Sequence, residues 1–405
     1  MLNRRRDVDS AACMDQGTMT FNAFRFQTVP TVIVEFGAAR KLGSLLRERF
    51  PSVSRIGVVT DGFLHRSGML APALADLAAH GWEVTVIDDV VADPPEHIVL
   101  EATHRARRAS VELILGVGGG SSMDVAKLLA VLLATDQPLA EMYGVGKVRE
   151  GRLPLVLMPT TAGTGSEVTA VSIVTTGETT KMGVVSPQLY ADLAVLDAEL
   201  TMPLPRAATA ATGIDAMVHA IEAYTSVRLK NPISDMFAMR ALELLSSHLL
   251  FACDRPDDAD AREAMLLGAM FAGQAFSNAP VAAVHALAYP VGGIFHVAHG
   301  LSNALVLPHV LRFNAPVAAT LYADLARIVA PAAQGSDEAR TAALISRIDE
   351  MVMAAGIPRR LRDVGVAEGD LERMARDAML QTRLLMNNPR EVSEADAFAI
   401  YAAAF

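Results

Sequence analysis

The sequence predicts an α/β half followed by an all-α half, and three observations predict it. Apolar runs too short for helices recur through residues 31–196, one of them runs into four glycines within five residues, and this patterning stops after Arg206. Short β-branched runs alternating with helix-period segments are the signature of buried parallel strands. Alanine, leucine and methionine at helical spacing build helix bundles instead.

Residues 1–20 are polar and unpatterned and are expected to form a disordered extension. Residues 21–205 are then expected to form the α/β domain and residues 206–405 the helical one. Thr31-Val-Ile-Val-Glu-Phe-Gly37 reads as a strand closed by its glycine, and residues 38–50 have helical spacing. Arg55-Ile-Gly-Val-Val-Thr-Asp61 reads as a buried parallel strand ending in an acid, residues 70–80 as a helix and residues 82–88 as a strand. A loop follows at Asp93-Pro-Pro. The run 111–117 leads through Gly118, Gly119 and Gly120 into a strong helix opened by Ser121. Residues 153–159, 172–176, 181–185 and 193–196 read as further strands. The pair Pro203 and Pro205 closes this half.

Helical spacing then covers residues 235–250, 261–276, 317–329 and 340–355, with breaks expected at Pro232, Pro256, Pro280, Pro308 and Pro358. Met236, Met239, Met265 and Phe271 recur at core spacing and are assigned to packing.

Bulk properties bound the function. A chain of 405 residues exceeds the usual size of one hydrophobic core, which favours two domains. Its apolar runs, such as residues 125–134 interrupted by Lys127, fall short of the roughly 20 residues that span a bilayer. No membrane segment is expected. Arg4, Arg5 and Arg6 are followed by no apolar core, which argues against a secretory signal and for a cytoplasmic protein. Cys13 and Cys253 are too few for a disulfide framework or a thiolate metal cage. A net charge of −10 disfavours nucleic acid as a partner.

Three segments carry chemistry. Strand, glycine turn and helix at residues 111–130 form a phosphate cradle, because glycines let backbone approach a diphosphate while the helix N-terminus favours the anion. The spacing Gly-x-Gly-Gly-Gly-Ser lacks the third glycine of the common dinucleotide fingerprint, so an unliganded tight turn is the competing reading. The threonine-rich loop at residues 160–169 could wrap a nucleotide or be an ordinary turn, and Lys181 is a candidate phosphate or ribose contact. In the stretch Gly213-Ile-Asp-Ala-Met-Val-His-Ala-Ile-Glu222, Asp215 and His219 lie four apart and so share a helix face, with Glu222 a further turn along. An ordinary surface carboxylate–imidazole pair would look the same.

The segment from Val284 to Gly300 changes that balance. It holds His285, His296 and His299, three of only ten histidines, in apolar surroundings that make unpartnered rings costly. Two of these imidazoles, joined to Asp215 and His219, could supply one oxygen and three nitrogens to Zn²⁺ or Fe²⁺, with positions left open for substrate.

Together these motifs resemble the iron-containing (group III) alcohol dehydrogenase family. The matching runs are Gly118-Gly-Gly-Ser-Ser-Met-Asp-Val-Ala-Lys127, Pro159-Thr-Thr-Ala-Gly-Thr-Gly-Ser-Glu167, the stretch from Gly213 to Tyr224, and His285 through His299-Gly-Leu-Ser-Asn to Pro308-His-Val. They follow the family's order and cover roughly residues 25–400.

The resemblance implies a Rossmann-like nucleotide domain and a helical metal-binding domain, the dehydroquinate-synthase-like fold, with the active site between them. It places Asp215, His219, His285 and His299 on the four metal-ligand positions, with Fe²⁺ or Zn²⁺ as the metal and Glu222 in a supporting place. It implies NAD contacts from Asp61, Gly118, Gly119, Gly120, Ser121, Asp124, Thr160, Thr161, Thr164 and Lys181. Asp61 would contact the ribose and favour NAD over NADP. The family often carries a histidine four residues after its third ligand, where this chain has Tyr289. Tyr289 or His296 would then handle the proton.

The implied activity is hydride transfer between NAD and a small alcohol, aldehyde or ketone, in a homodimer or larger homo-oligomer. Hydroxyacid–oxoacid transhydrogenation, maleylacetate reduction, a dehydroquinate-synthase-like lyase and a non-catalytic NAD- or metal-sensing protein are the alternatives. The lyase would need lysines and arginines beside the ligands for an anionic substrate, and the sequence shows none adjacent to them.

Overall fold

The computed structural model describes residues 23–149, 151–177 and 180–405, so the expectation for residues 1–20 lies outside the described residues. In chain order the first half runs β1 (Val32–Val34), α1 (Leu42–Arg49), β2 (Arg55–Asp61), α2 (Gly62–Arg66), α3 (Ala71–Ala79), β3 (Glu83–Val90), α4 (Glu96–Arg108), β4 (Leu113–Gly118) and α5 (Gly120–Ala134). It continues through β5 (Gly144–Val145), β6 (Leu155–Pro159), β7 (Val171–Thr176), β8 (Thr180–Val185) and β9 (Leu193–Leu196). Helices follow: α6 (Arg206–Thr225), α7 (Pro232–Asp254), α8 (Ala259–Asn278), α9 (Ala283–Phe295), α10 (His299–Val329), α11 (Asp337–Ala354), α12 (Leu371–Met379), α13 (Thr382–Leu385) and α14 (Glu394–Ala404).

Six strands form one parallel sheet in the order β1-β9-β6-β4-β2-β3. Its strands alternate between two cores. In β4, Leu113, Leu115 and Val117 pack on one face with α1 and α3, while Ile114 joins the larger core that runs on into the helices. The chain leaves β2 for β3 at one edge and leaves β4 for β6 in the opposite direction. The crevice beyond the ends of β2 and β4 is therefore the topological switch point, where open α/β sheets take their ligands. A smaller sheet, β5-β8-β7, carries a hairpin between β7 and β8.

Four local expectations are corrected. The first strand is only three residues long, because the Asp197 carboxylate accepts from the N–H groups of Gly37 and Ala39 and turns the chain at Gly37. Helix α4 is invisible to pattern reading, since Val99, Ala102, Thr103 and Ala106 are its whole buried stripe and the exposed Leu100 blurs the period. Pro308 does not break the chain. Helix α10 runs through it and through Pro316, with Leu305, Leu307, Val310 and Leu311 buried around Pro308, and this burial outweighs a proline cost of about 3 kcal/mol. Met236 and Met239 are 57% and 38% exposed, because the buried stripe of α7 is Ala238, Ala241, Leu242, Leu245 and Leu249. Met265 and Phe271 do pack in the core.

Residues ahead of β1 lie on the helical half. Phe26 stacks on Phe237, and Gln27 exchanges hydrogen bonds with Asn278. Helices α7 and α10 are long and apolar enough to cross a membrane by length and composition, but here α7 packs on α6 and α8, and α10 on α6, α9 and α11.

Candidate metal and nucleotide site

Helix α6 is buried over most of its length, and Asp215, His219 and Glu222 all lie on its buried surface. His285 comes from the first turn of α9, and His299 is the first residue of α10. A close helix approach brings them together. A Cβ on Gly300 would stand 2.4 Å from the Ala211 carbonyl oxygen, so only glycine lets the start of α10 lie this close to α6. One ligand atom from each of Asp215, His219, His285 and His299 then falls within 4.8 Å of the others.

The donor set fits a divalent transition metal. His285 Nε2 is buried with no hydrogen-bond partner among the described residues, a costly state unless a Lewis acid takes its lone pair. Burial pushes His219 down to about 3 and lowers His299 as well, so both rings are neutral and able to ligate. Burial works against the Asp215 carboxylate, but the surrounding imidazoles and the Asn303 amide outweigh it and hold Asp215 below the ordinary carboxylate range.

Supporting groups fix the ligands. His285 Nδ1 donates to Glu222 Oε2 at 2.7 Å, which leaves Nε2 facing the site. The same carboxylate accepts from the Ala282 and Val284 N–H groups, at 2.9 and 2.6 Å, at the start of α9. Asn303 Nδ2 donates to Asp215 Oδ1 at 2.5 Å. Sequence reasoning did not assign Asn303 a role, although its place four residues after His299 puts it on the same face of α10.

The four ligand residues line a cavity of about 260 Å³, and so do Gly120, Ser121, Asp124, Thr164, Lys181 and Tyr289. Asp61, Gly118, Gly119, Thr160 and Thr161 lie at and just beyond the ends of β2, β4 and β6, next to that cavity and outside its wall. Asp61 also caps α2 by accepting from the Leu64 N–H. Gly118 has a φ of 150°, and a Cβ there would fall 2.6 Å from Ser122 Oγ, so the turn into α5 requires glycine. Helix α5 thus presents its N-terminal N–H groups to the switch-point crevice.

Asp124 is engaged in a second task. It accepts from Ser166 Oγ at 2.7 Å and from the Ile173 N–H at 2.8 Å, which ties α5 to the threonine loop and to β7. Lys127, fully buried, completes this network by donating to Ser166 Oγ, Thr169 Oγ1 and the Val171 carbonyl. Lys181 pairs with Asp93 across the cavity mouth.

Tyr289 sits with its ring 6.1 Å from that of His299, and burial raises its phenol, keeping it protonated. His296 is exposed at the C-terminal end of α9 in the left-handed conformation, away from the cavity wall. The sequence shows no cluster of lysines and arginines beside the ligands, and the tertiary structure adds one basic residue to the cavity. Arg383 of α13, remote in sequence, lines the same cavity.

Comparison with known proteins agrees with this architecture. Residues 30–198 match the family description "Iron-containing alcohol dehydrogenase", and residues 209–405 match "Fe-containing alcohol dehydrogenase family, C-terminal". Long-chain-alcohol dehydrogenase 1 of Geobacillus thermodenitrificans (strain NG80-2) is 41% identical over 369 residues, covering 89% of this chain and 93% of its own. The 1,3-propanediol dehydrogenase of Klebsiella pneumoniae is 36% identical, over 86% of this chain and 90% of its own. Among solved structures, a 1,3-propanediol oxidoreductase superposes with a TM-score of 0.90 at 33% identity, over 95% of this chain and all of that one. A sulfoacetaldehyde reductase from Bifidobacterium kashiwanohense, solved with NAD⁺, superposes with a TM-score of 0.84 at 28% identity, over 95% of this chain and 99% of that one. With both halves matched in order and the four candidate ligands drawn to one point, the chain belongs to the iron-containing alcohol dehydrogenase family.

Proposed function

We propose that this protein is an NAD-dependent, metal-dependent oxidoreductase that interconverts an alcohol and its aldehyde or ketone. The observation that carries the reading is the shared cavity: the four-residue donor set and the N-terminus of α5 open into one space. In this reading residues 21–205 hold NAD and residues 206–405 hold the metal, with Fe²⁺ the assignment and Zn²⁺ compatible with the same ligands. Asp61, at the end of its strand, accepts from the ribose hydroxyls and disfavours a 2′-phosphate, which selects NAD.

When bound, the metal supplies Lewis acidity toward the substrate oxygen, and NAD supplies the hydride acceptor. The chain's own residues do the placing. Glu222 sets the His285 tautomer, Asn303 orients the Asp215 carboxylate, and Gly118, Gly119 and Gly120 leave backbone open to the diphosphate. Thr160, Thr161 and Thr164 close the other side, and Ser121 and Lys181 face the cofactor from the wall. Tyr289, which lines the cavity, is the proton-handling group through its phenol. The reading extends to a cytoplasmic homodimer or larger homo-oligomer.

The test is His285→Ala. The variant is expected to lose metal retention and turnover of simple alcohols while still binding NAD, measured by metal analysis, NADH formation and calorimetric titration. Normal turnover by a verified metal-free variant overturns the proposal.

A further inference from the structure

Past Tyr289 a second cavity of about 510 Å³ adjoins the first, and the two share Ile173, Lys181, Tyr289 and Arg383 in their walls. The shared wall is where a substrate held at the metal would extend away from it. Three cations reach this outer space. Lys181 is neutralised by Asp93, and Arg373 faces Asp377 at 3.8 Å. Arg383 differs. Its guanidinium has no hydrogen-bond or ion-pair partner among the described residues, although the side chain is half-buried. Its Nη2 lies 3.6 Å from where a Gly183 Cβ would stand, at ordinary contact distance, so the guanidinium lies against β8. Its charge acts on the Tyr289 phenol across the cavity.

A half-buried guanidinium with no partner among the described residues keeps its donors free for an anion entering the cavity, in a protein whose net charge is −10. A planar fork of donors at that place is complementary to an oxyanion, and most closely to a carboxylate. We infer that Arg383 is a specificity-determining residue that binds an anionic group at the far end of the substrate, making the preferred substrates ω-hydroxy carboxylates or sulfonates and their ω-oxo counterparts. This rests on the alcohol–aldehyde activity proposed above. The substrate oxygen lies at the Asp215 and histidine cluster, the carbon chain passes Tyr289 and Ile173, and the anion pairs with Arg383.

The test compares n-alkanols, ω-hydroxy carboxylates, ω-hydroxy sulfonates and ω-amino alcohols of matched length, oxidised with NAD⁺ by the metal-loaded wild type and by Arg383→Leu, Arg383→Lys and Arg383→Glu. Wild type is expected to favour an anionic series over the alkanols by about 10- to 100-fold in kcat/KM, the range of a charge-assisted hydrogen-bonded pair. That ratio should collapse in Arg383→Leu, recover in part in Arg383→Lys and turn toward the amino alcohols in Arg383→Glu. A purely structural arginine would produce no such inversion. The carboxylate and sulfonate arms decide which anion is read. Alkanols oxidised as well as either anionic series by wild type, or a preference that survives in Arg383→Leu, overturns the inference and leaves the proposed activity standing. If wild type oxidises no alcohol, it is the activity that fails. Calorimetric titration of glutarate then reads the anion site directly: binding lost in Arg383→Leu supports it, and equal or absent binding overturns it.

Discussion

Glu222 shows how one side chain can govern a site it does not enter. Its carboxylate accepts from His285 Nδ1 and from two N–H groups at the start of α9, so it fixes the ring and the helix that carries it together. Replacing it by glutamine turns one acceptor oxygen into an amide donor that faces N–H groups. Glu222→Gln is therefore expected to lower metal affinity about 10- to 100-fold, as removal of such supporting partners does, and chelator competition would measure it. Unchanged affinity in a folded variant would refute this role. Glu222 was visible in the sequence because it shares a helix face with Asp215 and His219. Arg383 was not, because no periodicity links α13 to α6.

At the scale of elements, the site depends on how closely α10 can start against α6. Gly300 permits that approach, with Ala211 below it and Asp215 Cβ 3.3 Å from where its own Cβ would stand. Gly300→Ala must push the helices apart, which is expected to cost about 1–3 kcal/mol in a packed interior and to move His299 off the donor cluster. Thermal unfolding and metal content measured on the same sample check both halves of that expectation. A variant with full metal content and wild-type stability would show that α10 tolerates the shift. Pro308 teaches the converse lesson about elements. Its local rule predicts a break, yet burial of the flanking leucines carries α10 across it.

At the scale of the molecule, the seam between the sheet and the helices is lined by buried charge. Glu167 follows the threonine loop, is 2% exposed, and is pushed by burial up to about 7 from the usual 4.5. A carboxyl whose folded pKa is raised contributes stability that is fully present below 4.5 and is lost as pH rises through about 7. Relative to Glu167→Gln, wild type should therefore lose about 1.4 kcal/mol per pH unit across that window, read from denaturant unfolding at a series of pH values. A difference that stays constant with pH would show that Glu167 is ionised in the folded protein at no cost.

Local chemistry in the sequence determined most of the element types, the glycine turn and the Asp215–His219 pair, while the family resemblance singled out His285 and His299 among three clustered histidines. Helix and strand periods act over a few residues, and the spacings of Asp215 with His219 and of His285 with His299 are short. Which helices meet was decided only by tertiary structure. The close packing at Gly300 draws the two pairs to one point, and the placement of α13 sets an unpaired Arg383 at the junction of two cavities. Tertiary structure also set the exposure of Met236 and Met239 and carried α10 through Pro308, because burial belongs to the assembled core and can override a local propensity of a few kcal/mol.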